Sequence, residues 1–135
     1  MISGPLSPAL ITIVDRLASL IKDGNVLKAG IDGGWRYYGE AIQKEIGNLE
    51  TMIVSGGNEV VRCHATHFTR SANILNPTKR LVLIQIRGRS KLDPGEFLLP
   101  GSYQYLEDSR TLIAEGEEGI NIGIVALATN TRFNI

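Results

Sequence analysis

The chain has 135 residues, no formal net charge and 43% hydrophobic residues. Its length fits one ordinary domain, and its apolar fraction is enough for a hydrophobic core, which excludes disorder as the dominant state. Balanced charge gives little non-specific attraction to nucleic acid or to an anionic membrane, so neither is expected as a partner. The single cysteine, Cys63, excludes an intramolecular disulfide. No secretory signal pattern or membrane-length apolar run is present, which predicts a protein made in a cytoplasm.

An amphipathic helix is predicted near the N-terminus. Ser7 suits the N-cap, Pro8 suits the first helical position, and Gly24 suits the C-terminal end. Between them, apolar residues recur at helical spacing at Leu10, Val14, Leu17 and Ile21. Two interpretations are open: the helix packs on the sheet of its own chain, or it docks on a neighbouring subunit.

The pattern of residues 25–58 is mixed. The glycines around Asp32 predict a flexible turn, followed by either a short strand or the start of a second helix. From Ala41 the spacing predicts a helical turn that ends near Gly47, with a strand at 49–54. A hairpin turn is predicted at 55–58, where two glycines are adjacent. Residues 1–58 are therefore interpreted as an N-terminal helix and extension.

Residues 59–135 show a consistent β pattern. Strands are predicted at 60–69, 79–87, 96–99, 102–106, 111–114 and 120–128, with a possible extension at 131–135, and 88–95 is predicted as a polar loop. Residues 81–86 are apolar on both alternating faces apart from Gln85, which predicts a central strand. The fold class that follows is mainly β: an antiparallel, jelly-roll-like β-sandwich with an N-terminal amphipathic helix, forming one compact unit.

Cys63, His64 and His67 are the best candidates for chemistry. On a strand, Cys63 and His67 share one face and His64 lies on the other, so the segment offers two metal ligands where structural zinc needs four. A Cys63–His67 nucleophile pair has no recognisable group to orient it or to stabilise an oxyanion. We therefore predict no metal, no cofactor and no enzymatic activity.

Three aromatic residues follow the glycine cluster. Trp35, Tyr37 and Tyr38 would suit the stacking surface of a carbohydrate-binding module, or an aromatic core or interface anchor. The second interpretation is favoured.

Charge is unevenly distributed along the chain. Residues 60–92 carry seven basic and no acidic residues, namely Arg62, Arg70, Lys79, Arg80, Arg87, Arg89 and Lys91. Residues 93–119 carry seven acidic residues and one arginine: Asp93, Glu96, Glu107, Asp108, Glu115, Glu117 and Glu118, with Arg110. Either the two halves pair across the sheet within one chain, or they form complementary surfaces on successive subunits. Nucleic-acid binding by the basic stretch is the third and least favoured interpretation, because interleaved aromatic residues are lacking.

One segment resembles a known family. The run from Ile74-Leu75-Asn76-Pro77 through Arg80 to Ile84-Gln85 is similar to a pattern of small tailed-bacteriophage virion proteins, where it leads into the first core strand of a β-sandwich. The turn at Pro100-Gly101 and the strand at 120–127 follow in corresponding places. The resemblance covers about residues 70–135. Arg87 departs from it, since the family pattern has a small polar residue there, and the first 60 residues have no counterpart.

The resemblance, to virion proteins of the head decoration, cement or fibre-base type, implies a non-catalytic virion structural protein, first a capsid decoration or cement subunit that stabilises the head. A neck or tail component, either connector or tail-completion, is the alternative. The implied partners are the major capsid protein or neighbouring copies in a homo-oligomer such as a trimer, and the implied location is the virion, assembled in the host cytoplasm. The predicted inter-subunit contacts are Leu10, Val14, Leu17, Ile21, Trp35, Tyr37, Arg87, Arg89, Glu117 and Glu118.

Overall fold

The computed structural model describes residues 2–129, which form eleven strands and two helices. The elements up to the middle of the chain are β1 (Ile2–Pro5), α1 (Pro8–Lys22), β2 (Leu27–Ile31), β3 (Gly34–Tyr38), α2 (Glu40–Ser55), β4 (Val60–Phe68), β5 (Ala72–Ile74) and β6 (Leu81–Arg87). They are followed by β7 (Arg89–Asp93), β8 (Phe97–Leu98), β9 (Ser102–Leu106), β10 (Arg110–Glu115) and β11 (Ile120–Leu127). The predicted strand at 131–135 lies outside the described residues.

The strands form two antiparallel sheets. The large sheet has the order β1-β9-β6-β11-β4-β3-β2, and the small sheet has the order β5-β10-β7-β8. Three strands from the first 58 residues thus belong to the same sheet as β4. The predicted class is confirmed: the protein is mainly β, with two packed antiparallel sheets and an N-terminal helix.

Helix α1 forms as its sequence predicts. The Ser7 hydroxyl accepts a hydrogen bond from the Leu10 amide at 3.3 Å, and Pro8 opens the first turn. Its apolar stripe, with Leu10, Val14 and Leu17 at most 5% exposed, packs on α2 and on β6 of the same chain. The helix therefore covers its own sheet.

Strand β6 lies at the centre of the large sheet, between β9 and β11, as predicted. Its Val82 and Ile84 face a core shared with the two helices, and its Leu81 and Leu83 face a second core shared with the small sheet. The molecule therefore has three layers: helices, the large sheet and the small sheet. Within the described residues, no helix is both long enough and apolar enough to cross a membrane.

Helix α2 corrects two predictions. It runs without interruption through Gly47, because Ile42, Ile46, Leu49 and Ile53 continue one buried stripe whose packing outweighs the low helix propensity of a single exposed glycine. The prediction of a strand at 49–54 was therefore wrong. The hairpin turn predicted at 55–58 was also wrong: Gly56 and Gly57 end α2, and Asn58 donates a side-chain hydrogen bond to the Ile53 carbonyl at 3.0 Å.

Two further segments differ from prediction. Asp32 and Gly33 form a two-residue turn that joins β2 to β3, so the glycine cluster builds a hairpin rather than a flexible loop. Residues 88–95 contain strand β7, which alternates exposed and buried residues. Ser90 and Leu92 are its buried members, and the charged residues between them made the segment resemble a loop.

Candidate functional site

A groove of about 640 Å³ opens beside the small sheet. It forms because the large sheet is wider: β5 is the edge of the small sheet, and the face of β3 and β4 beyond it is left uncovered. Apolar side chains that line the groove include Leu81, Ile124, Ala126, Ile74 and Phe68. Ile124 and Ala126 are cross-strand neighbours of His64 and Arg62, so the apolar lining continues directly into a polar face.

The polar lining of the groove is cationic. Arg36, Arg62 and Arg70 contribute to it, and only Arg70 has an ion-pair partner within residues 2–129, Asp32 at 3.6 Å. Burial, together with the positive charges of Arg36 and Arg62, lowers the pKa of His64 from 6.5 to about 4. His64 is therefore neutral at pH 7. The carboxylate in the groove lining, Asp32, pairs with Arg70 and leaves Arg36 and Arg62 without an ion-pair partner in the described part of the chain.

Two buried polar atoms on this face lack a partner. The hydroxyl Oγ1 of Thr66 and the Nδ1 atom of His64 have no hydrogen-bond partner among the described residues, and Thr66 is only 1% exposed. Unsatisfied buried polar atoms cost free energy and call for an explanation. The accessible donors of the groove include the guanidinium groups of Arg36 and Arg62, which suit an oxyanion.

The opposite face of β3 and β4 carries a buried hydrogen-bond network. His67 stacks on Trp35, with ring centroids 4.1 Å apart and an interplanar angle of 9°. The Oδ1 atom of Asn121 lies 2.8 Å from Nδ1 of His67 and accepts a hydrogen bond from the Tyr37 hydroxyl at 2.7 Å. Trp35, His67 and Asn121 are aligned across three adjacent strands, so sheet register builds the network.

Cys63 shares this face with His67, as strand alternation predicts, but does not join the network. It packs at the margin of the helix-side core. Burial first, and the charge of Glu50 second, raise the pKa of its thiol to about 12, which opposes thiolate formation. No group of three or more Cys, His, Asp or Glu side chains within residues 2–129 could hold a metal ion.

The structure separates the three aromatic residues. Tyr37 is buried, and the Trp35 ring is stacked on His67 with the ammonium of Lys28 4.6 Å from its centroid. Only Tyr38 is well exposed, at 43%, and it lies on the other face of β3. They therefore do not form one flat surface on which a sugar could stack.

The predicted inter-subunit contacts fall into two groups. Leu10, Val14, Leu17 and Tyr37 are buried in the chain's own core and have no surface for a neighbour in this conformation. Ile21 and Trp35 are half-buried against the same core. The exposed residues Arg87, Arg89, Glu117 and Glu118 remain available at the surface.

The charge asymmetry is only slightly compensated within the chain. Among the described residues, one ion pair links the basic segment to the acidic one: Arg89 lies 3.5 Å from Glu115, across β7 and β10. Asp108 pairs with Arg110 inside the acidic segment and Arg70 with Asp32 outside it. Among the described residues, ion pairing between the two segments therefore neutralises only one of the seven basic residues, Arg89.

The residues that carry the family resemblance have structural roles. Asn76 is buried, and its side-chain amide donates hydrogen bonds to the carbonyls of Leu106 and Asp108 at 2.9 and 3.1 Å. Gly101 adopts a positive φ of 83°, and its carbonyl accepts a hydrogen bond from Leu6. Asn76 and Gly101 therefore fix turns of the sandwich, while Ile74, Pro77 and Leu81 of the same segment contribute to the wall of the groove.

Arg36 and Thr66 were not predicted from the sequence as members of a site. The available signal was the alternation in β4, which places Arg62, His64 and Thr66 on one face. The partner strand β3 could not be identified as such, so the position of Arg36 opposite Thr66 was not apparent.

The fold and the groove define a mainly β protein of two packed sheets, with a helical layer on one face and an uncovered cationic groove on the other. Comparisons with family models, curated proteins and solved structures found no match for this chain.

Proposed function

We propose that this protein is a non-catalytic structural subunit of a tailed-phage virion, with a capsid decoration or cement role. The observation that carries the proposal is strand β2, the edge of the large sheet, which is exposed at all five residues. Leu27 is 55% exposed and Ile31 is 40% exposed. An edge strand that is open on both faces and bears apolar side chains is a template for pairing with another chain.

Two features support an assembly role over a catalytic one. The exposed β2–β3 hairpin continues into the groove, so apolar and cationic surfaces form one uncovered region. The most reactive side-chain type, the Cys63 thiol, is held protonated by burial. The choice of a virion protein among possible assembly proteins rests on the resemblance of residues 70–135 to virion β-sandwich proteins.

The proposal is tested on purified particles of the phage that encodes the chain. Mass spectrometry should detect it, and a copy number comparable to that of the major capsid protein supports a head decoration role. A few copies per particle would support the neck or tail alternative. Absence of the chain from intact particles contradicts both.

A second test addresses the edge strand with purified protein. The double variant Leu27→Glu/Ile31→Glu should lose co-sedimentation with undecorated capsids, because it places charge on the exposed apolar edge. The matched control is Met52→Glu/Val54→Glu, since these residues are 37% and 48% exposed on α2, away from the edge. Equal loss in both variants would contradict a specific role for β2.

A further inference from the structure

The groove beside β5 and the hairpin formed by β7 and β8 lie at opposite sides of the sandwich. The small sheet begins with β5 and ends with β8, so these are its two free edges. The β8 side lies near β9, whereas the groove on the β5 side is lined by residues of β3 and β4. Side-by-side placement of two copies therefore brings the β8 edge of one copy to the β5 edge of the next.

The two edges are complementary in charge. On the groove side, the guanidinium groups of Arg36 and Arg62 have no ion-pair partner within residues 2–129. On the other side, the exposed carboxylates of Asp93 and Glu96 also have none in the same part of the chain. Such unpaired opposite charges, separated on one molecule, steer contacts between molecules and set their register.

The two edges are also complementary in apolar surface. Next to Glu96, Phe97 is 41% exposed and Leu99 is 48% exposed. The apolar lining of the groove includes Ile124 and the strand residue Val61, which is 61% exposed. Two cations of the same hairpin, Arg89 and Lys91, lie 4.2 and 5.9 Å from the centroid of the Phe97 ring, and Arg89 also pairs with Glu115. Neither forms an ion pair with Asp93 or Glu96.

We propose that the groove receives the β7–β8 hairpin of a second copy, with Arg36 and Arg62 binding the carboxylates of Asp93 and Glu96. This proposal rests on the proposed assembly function and specifies the partner as a second copy of the same chain. Arg36 is the cross-strand partner of Thr66, and Arg62 lies on the same face of β4, so both arginines border one side of the groove. Because the two surfaces differ, the contact is head-to-tail, and repetition gives a closed ring or an open filament.

The test uses two charge-reversed forms of the full chain. Arg36→Glu/Arg62→Glu makes the groove acidic, and Asp93→Lys/Glu96→Lys makes the hairpin basic. Each form alone should self-associate at least about 100-fold more weakly than the wild type in light scattering and sedimentation, because like charges then meet. An equimolar mixture should restore association to within about tenfold of wild type, since each new contact again joins opposite charges.

Restoration on mixing also shows that both forms are folded. The matched control is Lys44→Glu, a charge reversal at an exposed position of α2, and it should associate as the wild type does. Raising the salt from 0.1 to 1 M should weaken wild-type association, as the screening length falls from about 10 to about 3 Å. A wild-type chain that stays monomeric at every soluble concentration, a mixture that fails to associate, or either form associating normally overturns the contact. These outcomes do not depend on whether the chain occurs in virions. Detection of the chain in purified particles tests the proposed function separately.

Discussion

Arg36 and Thr66 are directly opposed across strands β3 and β4. The Arg36 side chain is exposed and has no ion-pair partner in the described part of the chain. The Thr66 hydroxyl is buried and has no hydrogen-bond partner among the described residues. The Thr66 hydroxyl costs stability in the isolated chain because it is buried without a partner, whereas the exposed Arg36 side chain is hydrated. In the proposed contact between two copies, this is the surface that meets the carboxylates of Asp93 and Glu96.

Thr66→Val should not destabilise the isolated protein. The substitution removes a buried hydroxyl that has no hydrogen-bond partner among residues 2–129 and keeps the shape of the side chain. We expect the free energy of unfolding to be unchanged or to rise by about 1 kcal/mol, measured by chemical denaturation. The control is Thr69→Val, which loses the hydrogen bond from its hydroxyl to the Gly33 carbonyl and should lower the unfolding free energy. A clear loss of stability in Thr66→Val would show that its hydroxyl has a partner.

Acid should destabilise the protein through His64. Burial and the charges of Arg36 and Arg62 lower its folded-state pKa to about 4, while in the unfolded chain it stays near 6.5. Between these values the unfolded chain binds a proton that the folded chain does not, so stability falls as the pH decreases from about 6.5 to 4. The charged groups that share this groove are Arg36, Arg62, Arg70 and Asp32.

The measurement compares the wild type with His64→Gln by denaturation at several pH values. The variant should lose less stability than the wild type between pH 7 and pH 4.5. Carboxylates that titrate in the same range affect both proteins equally, so the difference between the two curves isolates His64. Parallel curves would mean that its pKa is not lowered.

Alkali should destabilise the protein through Cys63. Its thiol has a folded-state pKa of about 12, raised from an ordinary value of 9.0 by burial and by the charge of Glu50. Above pH 9 the unfolded chain loses a proton that the folded chain retains, so stability decreases as the pH rises from about 9 to 12. Cys63→Ala should show a smaller loss over this range. In the native wild type, a thiol reagent at pH 8 should react slowly, and rapid native-state modification would contradict a buried, protonated thiol.

Gly34→Ala should be strongly destabilising, whereas Gly30→Ala should be tolerated. A Cβ atom at position 34 would lie 1.7 Å from the His67 carbonyl oxygen, which pushes β3 away from β4, but one at position 30 meets nothing within 4 Å. We expect Gly34→Ala to lower the unfolding free energy by about 2 kcal/mol or more, and Gly30→Ala to change it by about 0.5 kcal/mol or less. Thermal denaturation of both variants checks this. Similar melting temperatures would mean that the two strands do not approach so closely.

The sequence alone determined the elements whose local signals agree. Ser7, Pro8 and a regular apolar stripe specify α1, and alternation with apolar residues on both faces specifies β6 as a central strand. The two-sheet class followed from strand and turn spacing after Val60. These features depend on residues close together in the chain, where propensity, capping and periodicity act in the same direction.

The tertiary structure decided what local signals left ambiguous. Gly47 resembles a helix end in sequence, but the buried positions of Leu49 and Ile53 against the sheet continue α2 through it. The groove is also a tertiary property, because Arg36 and Thr66 meet only when β3 pairs with β4, 30 residues away along the chain. Sequence periodicity assigns a residue to a face of its own strand, whereas the register of the neighbouring strand decides which side chains share that face.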